Sequence, residues 1–435
     1  MSDRDCGAAG AGDLILAAAN AMTLPAIDRP MVPRLRVLLH DYPGHAFPVQ
    51  LARALATRGH EVLHLHCSSF SSPRGPLAPR PEDPPSLTLE ALTLDGEVKK
   101  YDFLRRWLQE RAYATRLVER VAAFKPDVVL GGNASVDPQA ALQRWARRNK
   151  VGFLYWLQDV HGIAMRAILA KKLSVFGSAV ALYYTMKEEA LWRRSNVVVA
   201  ITEDFRPILA TAGVPRERVA VVENWADLQE LSPRAKDNAF SRAHGLVDKT
   251  VLLYTGTMGL KHNPERMVDL ARAFRDRSDV KIVVVSEGIG ADRIRELAVE
   301  ERLENILQLP FQPYDLLPDM VATGDILCVL LEAEAGIYSV PSKLLTYCCA
   351  GRPVLGAIPA DNLAARIIAR NHIGVTVSPQ DGPGFVDAAL RLLADPRARA
   401  DMGANGRRYA ETTFDIDAIT TGFETLLDQA RRQAG

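Results

Sequence analysis

Short apolar runs alternate with helical stretches along almost the whole chain, and this alternation restricts the fold to the α/β class. Arg36-Val37-Leu38-Leu39-His40 is followed by a turn at Asp41-Tyr42-Pro43-Gly44-His45, a helical pattern from Phe47 to Thr57, a stop at Gly59-His60, and a new run from Glu61 to His66. Strand, glycine turn, helix, stop and strand is a βαβ opening, and a strand followed by a crossover helix implies a parallel sheet. Further runs at Pro126–Leu130, Val151–Trp156, Val197–Ile201 and Val219–Val222 extend the first half. Between them, residues 68–95 are rich in Pro and Ser and read as a long loop. Tyr101–Ala123 reads as a helix, and Thr202 as the cap of a helix.

The pattern restarts at Thr250-Val251-Leu252-Leu253-Tyr254-Thr255-Gly256. A helix from Asn263 to Asp276 follows, then runs at Val280–Val285, Asn305–Leu309, Ile326–Leu331 and Val354–Ala357, which read as the complete second parallel set. The 435 residues suffice for two domains with separate cores. The expected division is a leader over 1–34, a first domain over 35–227, a polar linker containing Pro233 over 228–247, a second domain over 248–413, and a terminal helix over 414–435. A net charge of +1 and 48% apolar residues give no sign of disorder or of general nucleic-acid binding. Cysteines at 6, 67, 328, 348 and 349 show no metal-type spacing and point to a reducing, cytoplasmic compartment. The apolar stretch Leu14–Leu24 is too short and too Ala-rich to span a bilayer, which takes about 20 apolar residues.

Ligands of open α/β sheets bind beyond the carboxyl ends of strands, and the chemistry-bearing residues stand there. In the segment Pro341–Val354 a strand and loop lead into a short helix, Gly351, Pro353 and another strand. A helix start at such a place carries unsatisfied N–H groups and the positive end of a dipole. Ser342 adds a hydroxyl and Lys343 a charge, so a diphosphate suits the position; an ordinary capped helix gives the same pattern. Gly256, Thr257, Gly259 and Lys261 form a Gly-rich turn that permits close backbone approach to phosphate, or a plain βα turn with an exposed lysine. Glu287-Gly288 and Phe311-Gln312 close two further strands. On the first half, Gly44 follows the first strand. Asp159 and His161, two residues apart, are placed to orient a hydroxyl and share its proton, although Asp159 also fits as a helix cap.

Around these residues the chain resembles the retaining sugar-nucleotide glycosyltransferases of family 4, with the GT-B fold, and within them the colanic-acid and capsule-type transferases. The match lies at Pro341, Ser342, Lys343, Tyr347, Gly351, Pro353 and Val354, over a resemblance spanning about residues 35–430. The resemblance implies two Rossmann-like doubly wound domains facing across a cleft, with a C-terminal helix crossing back to the first. It implies a nucleotide-diphosphate sugar as co-substrate, retention by a front-face route, no cofactor and no metal. It places Gly256, Thr257, Gly259, Lys261, Glu287, Gly288, Phe311, Gln312, Ser342 and Lys343 around the nucleotide, and Asp159 and His161 near the sugar or acceptor. Thr346 stands where the family usually has the Glu that takes the ribose, and Tyr338 stands eight residues earlier, where its partner acid would be. Leu260 and Lys261 replace the commoner arginine-then-lysine pair. Glu334 is four residues from the expected register.

The triplet Asp415-Ile416-Asp417 looks like a metal-binding motif but sits at a helix start, which favours capping. Two stretches, Lys99–Arg111 and Met165–Arg194, mix basic and aromatic residues and suit an anionic membrane surface, where a polyprenyl-diphosphate-linked acceptor would lie; ordinary amphipathic helices look the same. The expected function is glycosyl transfer in surface-polysaccharide biosynthesis, on the cytoplasmic side and peripheral to the plasma membrane. The rivals are a sugar-nucleotide epimerase and a non-catalytic nucleotide-sugar-binding subunit.

Overall fold

The computed structural model describes residues 32–69, 74–94, 103–163, 165, 175–259 and 261–435. The leader up to residue 31, Leu260 and parts of both basic–aromatic stretches lie outside these residues. The first sheet holds β1 (Arg36–Asp41), β2 (Glu61–Cys67), β3 (Leu87–Leu92), β4 (Val128–Gly132), β5 (Gly152–Leu157), β6 (Val197–Ala200) and β7 (Val219–Val221), in the order β3-β2-β1-β4-β5-β6-β7. The second holds β8 (Thr250–Thr255), β9 (Val280–Val285), β10 (Ile306–Leu309), β11 (Ile326–Leu330), β12 (Val354–Ala357) and β13 (Gly374–Val377), in the order β10-β9-β8-β11-β12-β13. Every pairing is parallel. Helices cover both faces, so the central strands are buried on both sides. This explains why β4, β5 and β11 read as unbroken apolar runs rather than alternating ones. These are two doubly wound Rossmann-like domains, and in each the strand order reverses beside the first strand, between β1 and β4 and between β8 and β11.

Three sequence expectations are corrected. The segment 68–95 is not all loop: Leu87–Leu92 adds β3 to the edge of the first sheet. Its partly exposed Leu-Thr-Leu-Glu-Ala-Leu does not alternate cleanly and follows a Pro-rich run that obscures it. The second sheet does not end at β12. Gly374–Val377 pairs beside it, where Gly374 lies too close to Val354 for any side chain. The linker contains the helix Ala239–Ala243, closed by a capping box in which Asn238 and Ser241 exchange side-chain-to-backbone hydrogen bonds. Thr202 lies short of the helix Phe205–Thr211, where its hydroxyl accepts from the Asp204 N–H at 3.2 Å.

The terminal helix Ile416–Arg432 crosses back onto the first domain as expected. Phe423 packs edge-on against Trp156 at 4.9 Å, and Ala430 lies so close to Gly152 that a Cβ there would meet its carbonyl carbon at 2.7 Å. Arg58 donates to Glu424 at 2.7 Å, and His60 Nε2 lies 3.0 Å from the same carboxylate. Asp415 caps this helix, accepting from the N–H groups of Asp417 and Ala418 at 2.9 and 3.3 Å, while Asp417 pairs with Arg58. The triplet therefore serves the helix and the domain contact.

Candidate active site

The second-domain side is built around the helix Lys343–Cys349, which starts beyond the carboxyl ends of β8 and β11. Tyr347, fully buried, anchors it by accepting the Thr255 N–H at 3.1 Å at the very end of β8. Gly256 follows with φ at +109°, and a Cβ there would lie 3.6 Å from Lys343 Cε. The backbone thus turns under the lysine stem, and glycine tolerates that left-handed conformation. Lys343 Nζ lies 4.8 Å from the centre of the Tyr254 ring, within cation–π range. Among the described residues no carboxylate pairs with it. Burial, with the nearby charge of Lys261 adding to it, holds its pKa down to about 7. Ser342 is exposed at the start of the helix and its side chain makes no capping bond, while Thr346 sits one turn in.

The two glycine turns are fastened together. The Met258 N–H donates to the Glu287 carbonyl at 3.2 Å, and the Gly290 N–H to the Met258 carbonyl at 2.9 Å. Tyr254 donates its hydroxyl to the Thr257 carbonyl at 2.9 Å, and the Gly259 N–H donates to His262 Nδ1 at 3.1 Å. The Glu287 carboxylate accepts the Phe311 N–H at 3.3 Å, which joins the Gly288 turn to the Phe311-Gln312 loop. Gln312 turns back onto the Pro310 carbonyl.

Two loops bridge the domains. Lys261 Nζ lies 3.2 Å from Asp159 Oδ2 and donates to Ser339 Oγ at 2.7 Å. The Val160 N–H donates to the Tyr338 carbonyl at 3.1 Å. Burial pushes the Asp159 carboxyl upwards, but the charges of Lys261 and His161 outweigh it and hold its pKa below the usual value. His161 Nδ1 lies 3.3 Å from Glu188 Oε1. Burial lowers the pKa of the ring, yet the hydrogen bond and charge of Glu188, with Asp159, carry it above the ordinary histidine value. Residue types at strand ends, together with the family resemblance, flagged Asp159, His161, Lys261 and Lys343, and the structure brings these four together.

Others fall elsewhere. Gly44, at φ +75°, turns the chain after β1 and is buried under the segment 75–77, where a Cβ would meet Leu77 Cδ1 at 2.8 Å. Tyr338 is 7% exposed and meets the first domain through its carbonyl. Ser339 and Glu188 escaped the sequence reading. Ser339 lies in a loop without a motif, and Glu188 lies mid-helix, where an acid normally faces water. Among the described residues no group of three or more His, Cys, Asp and Glu side chains is placed to hold a metal ion.

A family model described as a glycosyl transferase 4-like domain matches residues 45–225, and one described as glycosyl transferases group 1 matches residues 236–409. WcaI of Escherichia coli (strain K12), a glycosyl transferase named for colanic acid biosynthesis, is 26% identical over 305 residues, covering 69% of this chain and 73% of that protein. Among solved structures, sucrose-phosphate synthase from Thermosynechococcus elongatus aligns with a TM-score of 0.66 at 17% identity, covering 92% of this chain and 100% of that one. HepE from Anabaena, in complex with UDP and glucose, aligns with a TM-score of 0.64 at 15% identity, covering 90% and 99%. At such identities these two likenesses speak for the fold alone. The chain belongs to the GT-B glycosyltransferases, a glycosyl transferase 4-like domain followed by a glycosyl transferases group 1 domain.

Proposed function

We propose that the protein moves a hexosyl or acetamidohexosyl group from a nucleoside-diphosphate sugar to a glycan or lipid-linked glycan acceptor, with retention and without a metal, in the building of a surface polysaccharide. The observation that carries this reading is Lys343: a largely desolvated ammonium, without a carboxylate among the described residues, beside a second lysine and a glycine turn. A leaving diphosphate develops negative charge where such groups wait for it, and stabilising that charge is the main work of the transfer. Lys261 joins it by exchanging Asp159 and Ser339 for a phosphate oxygen, which releases the Asp159 carboxylate towards the acceptor. The anomeric carbon then passes through an oxocarbenium-like state. The bond to the diphosphate breaks, the acceptor oxygen bonds to the same face, and its proton leaves on the departing phosphate. The UDP named with HepE makes a uridine nucleotide the first to try, and the name of WcaI supports a polysaccharide product.

Leu108, Leu182, Tyr183 and Met186 are each at least half exposed on the first-domain helices Phe103–Phe124 and Val175–Arg194. Among them stands the exposed Arg111, while Arg106 pairs with Glu110 and Lys187 with Asp137; this apolar face with a basic residue suits peripheral contact with a membrane carrying the acceptor. No helix among the described residues is long and apolar enough to cross a membrane.

A thermal-shift panel of UDP-, GDP- and dTDP-sugars, with chelator present, tests the donor site. Stabilisation by one nucleotide class, lost in Lys343→Met, is expected. A folded protein that none of them stabilises would favour a non-catalytic subunit, the rival to which Thr346 and Tyr338 already lend weight.

A further inference from the structure

Glu188 is an acid in the middle of the helix Val175–Arg194, yet its side chain is 1% exposed. It faces the start of the helical turn at residues 161–163, where backbone N–H groups have no partners of their own. Its Oε1 accepts the His161 N–H at 3.0 Å and lies 3.3 Å from His161 Nδ1, and its Oε2 accepts the Gly162 N–H at 2.7 Å. The approach is tight. A Cβ on Gly162 would lie 2.9 Å from Thr185 Oγ1 and 3.1 Å from Glu188 Oε2. The glycine is what lets the helix bring its carboxylate this close.

A carboxylate only accepts, so the proton of the neutral imidazole must sit on Nδ1. Nε2 is then the unprotonated ring nitrogen. It has no partner among the described residues, and the His161 side chain is 37% exposed. We infer that Glu188 is a positioning residue that fixes His161 in the Nδ1–H form and leaves Nε2 to accept a hydrogen bond from the acceptor hydroxyl. This rests on the transferase reading above and adds to it the tautomer and the residue that sets it. The hydroxyl has a single proton: it is held on Nε2 before reaction and turns to the departing phosphate oxygen as the bond to the diphosphate breaks, so His161 holds the hydroxyl in line without keeping its proton.

Among the described residues, the charged groups facing the ring are Glu188 from the helix, Asp159 from its own loop, and Lys261 from the second domain. The two acids favour the imidazolium and Lys261 opposes it. Since Nε2 must be free of a proton to accept, transfer should have an acidic limb set by this ring. Glu188 raises the pH at which that limb falls.

Two measurements on the full chain test the assignment. The first is the nitrogen-15 NMR titration of His161, identified by its loss in His161→Asn. The wild type should show the Nδ1–H tautomer. Glu188→Gln should show a mixture, with the titration moved to lower pH by about half a unit or more, and Glu188→Asp should restore most of the wild-type behaviour. The second is the pH profile of kcat/KM for acceptor. Its acidic limb should move down in Glu188→Gln, return in Glu188→Asp and vanish in His161→Asn, with acceptor KM rising several-fold and donor KM unchanged. An Nε2–H tautomer in the wild type would overturn the inference, as would a folded Glu188→Gln whose limb does not move. If the wild type transfers no sugar while the Nδ1–H tautomer is present, the transferase reading fails and the pairing stands.

Discussion

The two sheets present opposite electrostatics at equivalent places. Beyond β1 the buried charge is negative and satisfied: Asp41, 1% exposed, accepts from the His45 backbone and, at 2.8 Å, from Asn133 Nδ2. Around it stand histidines that burial keeps uncharged, with the pKa values of His40 and His64 held down to about 4. Beyond β8 the charge is positive, at the half-buried Lys343, which has no carboxylate partner among the described residues. The same architecture thus gives one strand-end cluster whose charge is already hydrogen-bonded, although ring nitrogens of His40, His64 and His66 beside it have no partner, and one whose charge can take an anion. A buried charge without a partner costs stability and shifts its own pKa. Its persistence at a switch point marks it as a binding group rather than a structural one.

The sharpest way to break this comparison is to remove each charge in turn. Lys343→Met should lower transfer about 100-fold or more, the scale of losing one group that stabilises transition-state charge. The same change should stabilise the ligand-free protein by about 1–2 kcal/mol, because an apolar group replaces a desolvated ammonium. Steady-state kinetics and thermal unfolding read the two effects, and a Lys343→Met protein that is inactive but less stable would remove the charge argument.

Asp41→Asn should do the reverse. One of its two hydrogen bonds loses its acceptor, which costs about 1–3 kcal/mol in a buried place. The pH dependences should also oppose each other. Burial pushes Asp41 up, but the charge and hydrogen bond of His45, with help from His64 and Asn133, hold its pKa below the unfolded value near 3.8. Its stabilisation is therefore present above that value and lost as pH falls through the lower folded one. Lys343 has a folded value of about 7 against about 10.5 unfolded. Its penalty is full below pH 7 and fades as pH rises between the two values, where the unfolded chain binds more protons. Urea unfolding across pH should show the first slope vanish in Asp41→Asn and the second in Lys343→Met.

The smallest change concerns the ribose. Thr346 lies one turn beyond the helix start, and Thr346→Glu supplies the acid that the family resemblance leads one to expect there. A charge-assisted hydrogen bond to a ribose hydroxyl should tighten nucleotide binding several-fold, read as a larger thermal shift. Weaker binding would mean that Thr346 does not face the ribose.

Strands and helices of regular period were legible because the apolar face of each must be buried, and that requirement is written into the order of residues. β3 and β13 were not legible, because a Pro-rich run hides the first and the second is four residues that begin at a glycine, while the equally short and half-exposed edge strands β7 and β10 were read from their apolar runs. The strand-end residues Asp159, His161, Lys261 and Lys343 were also legible, because turns rich in glycine and charge stand at the carboxyl ends of recognisable strands. Gly44 was picked for the same reason, but its place beneath Leu77 depends on a segment more than thirty residues on.

The sequence by itself determined the two-domain α/β class and the set of groups able to meet a diphosphate, since local periodicity and turn chemistry suffice for those; the crossing of the terminal helix was expected only from the family resemblance. Only the tertiary structure decided which charges are paired. Lys261 reaches Asp159 across the cleft, Lys343 meets an aromatic face in place of an acid, and Glu188 turns inward to His161. Pairing and desolvation are set by groups far apart in the chain, and they fix which of these residues remain free to bind.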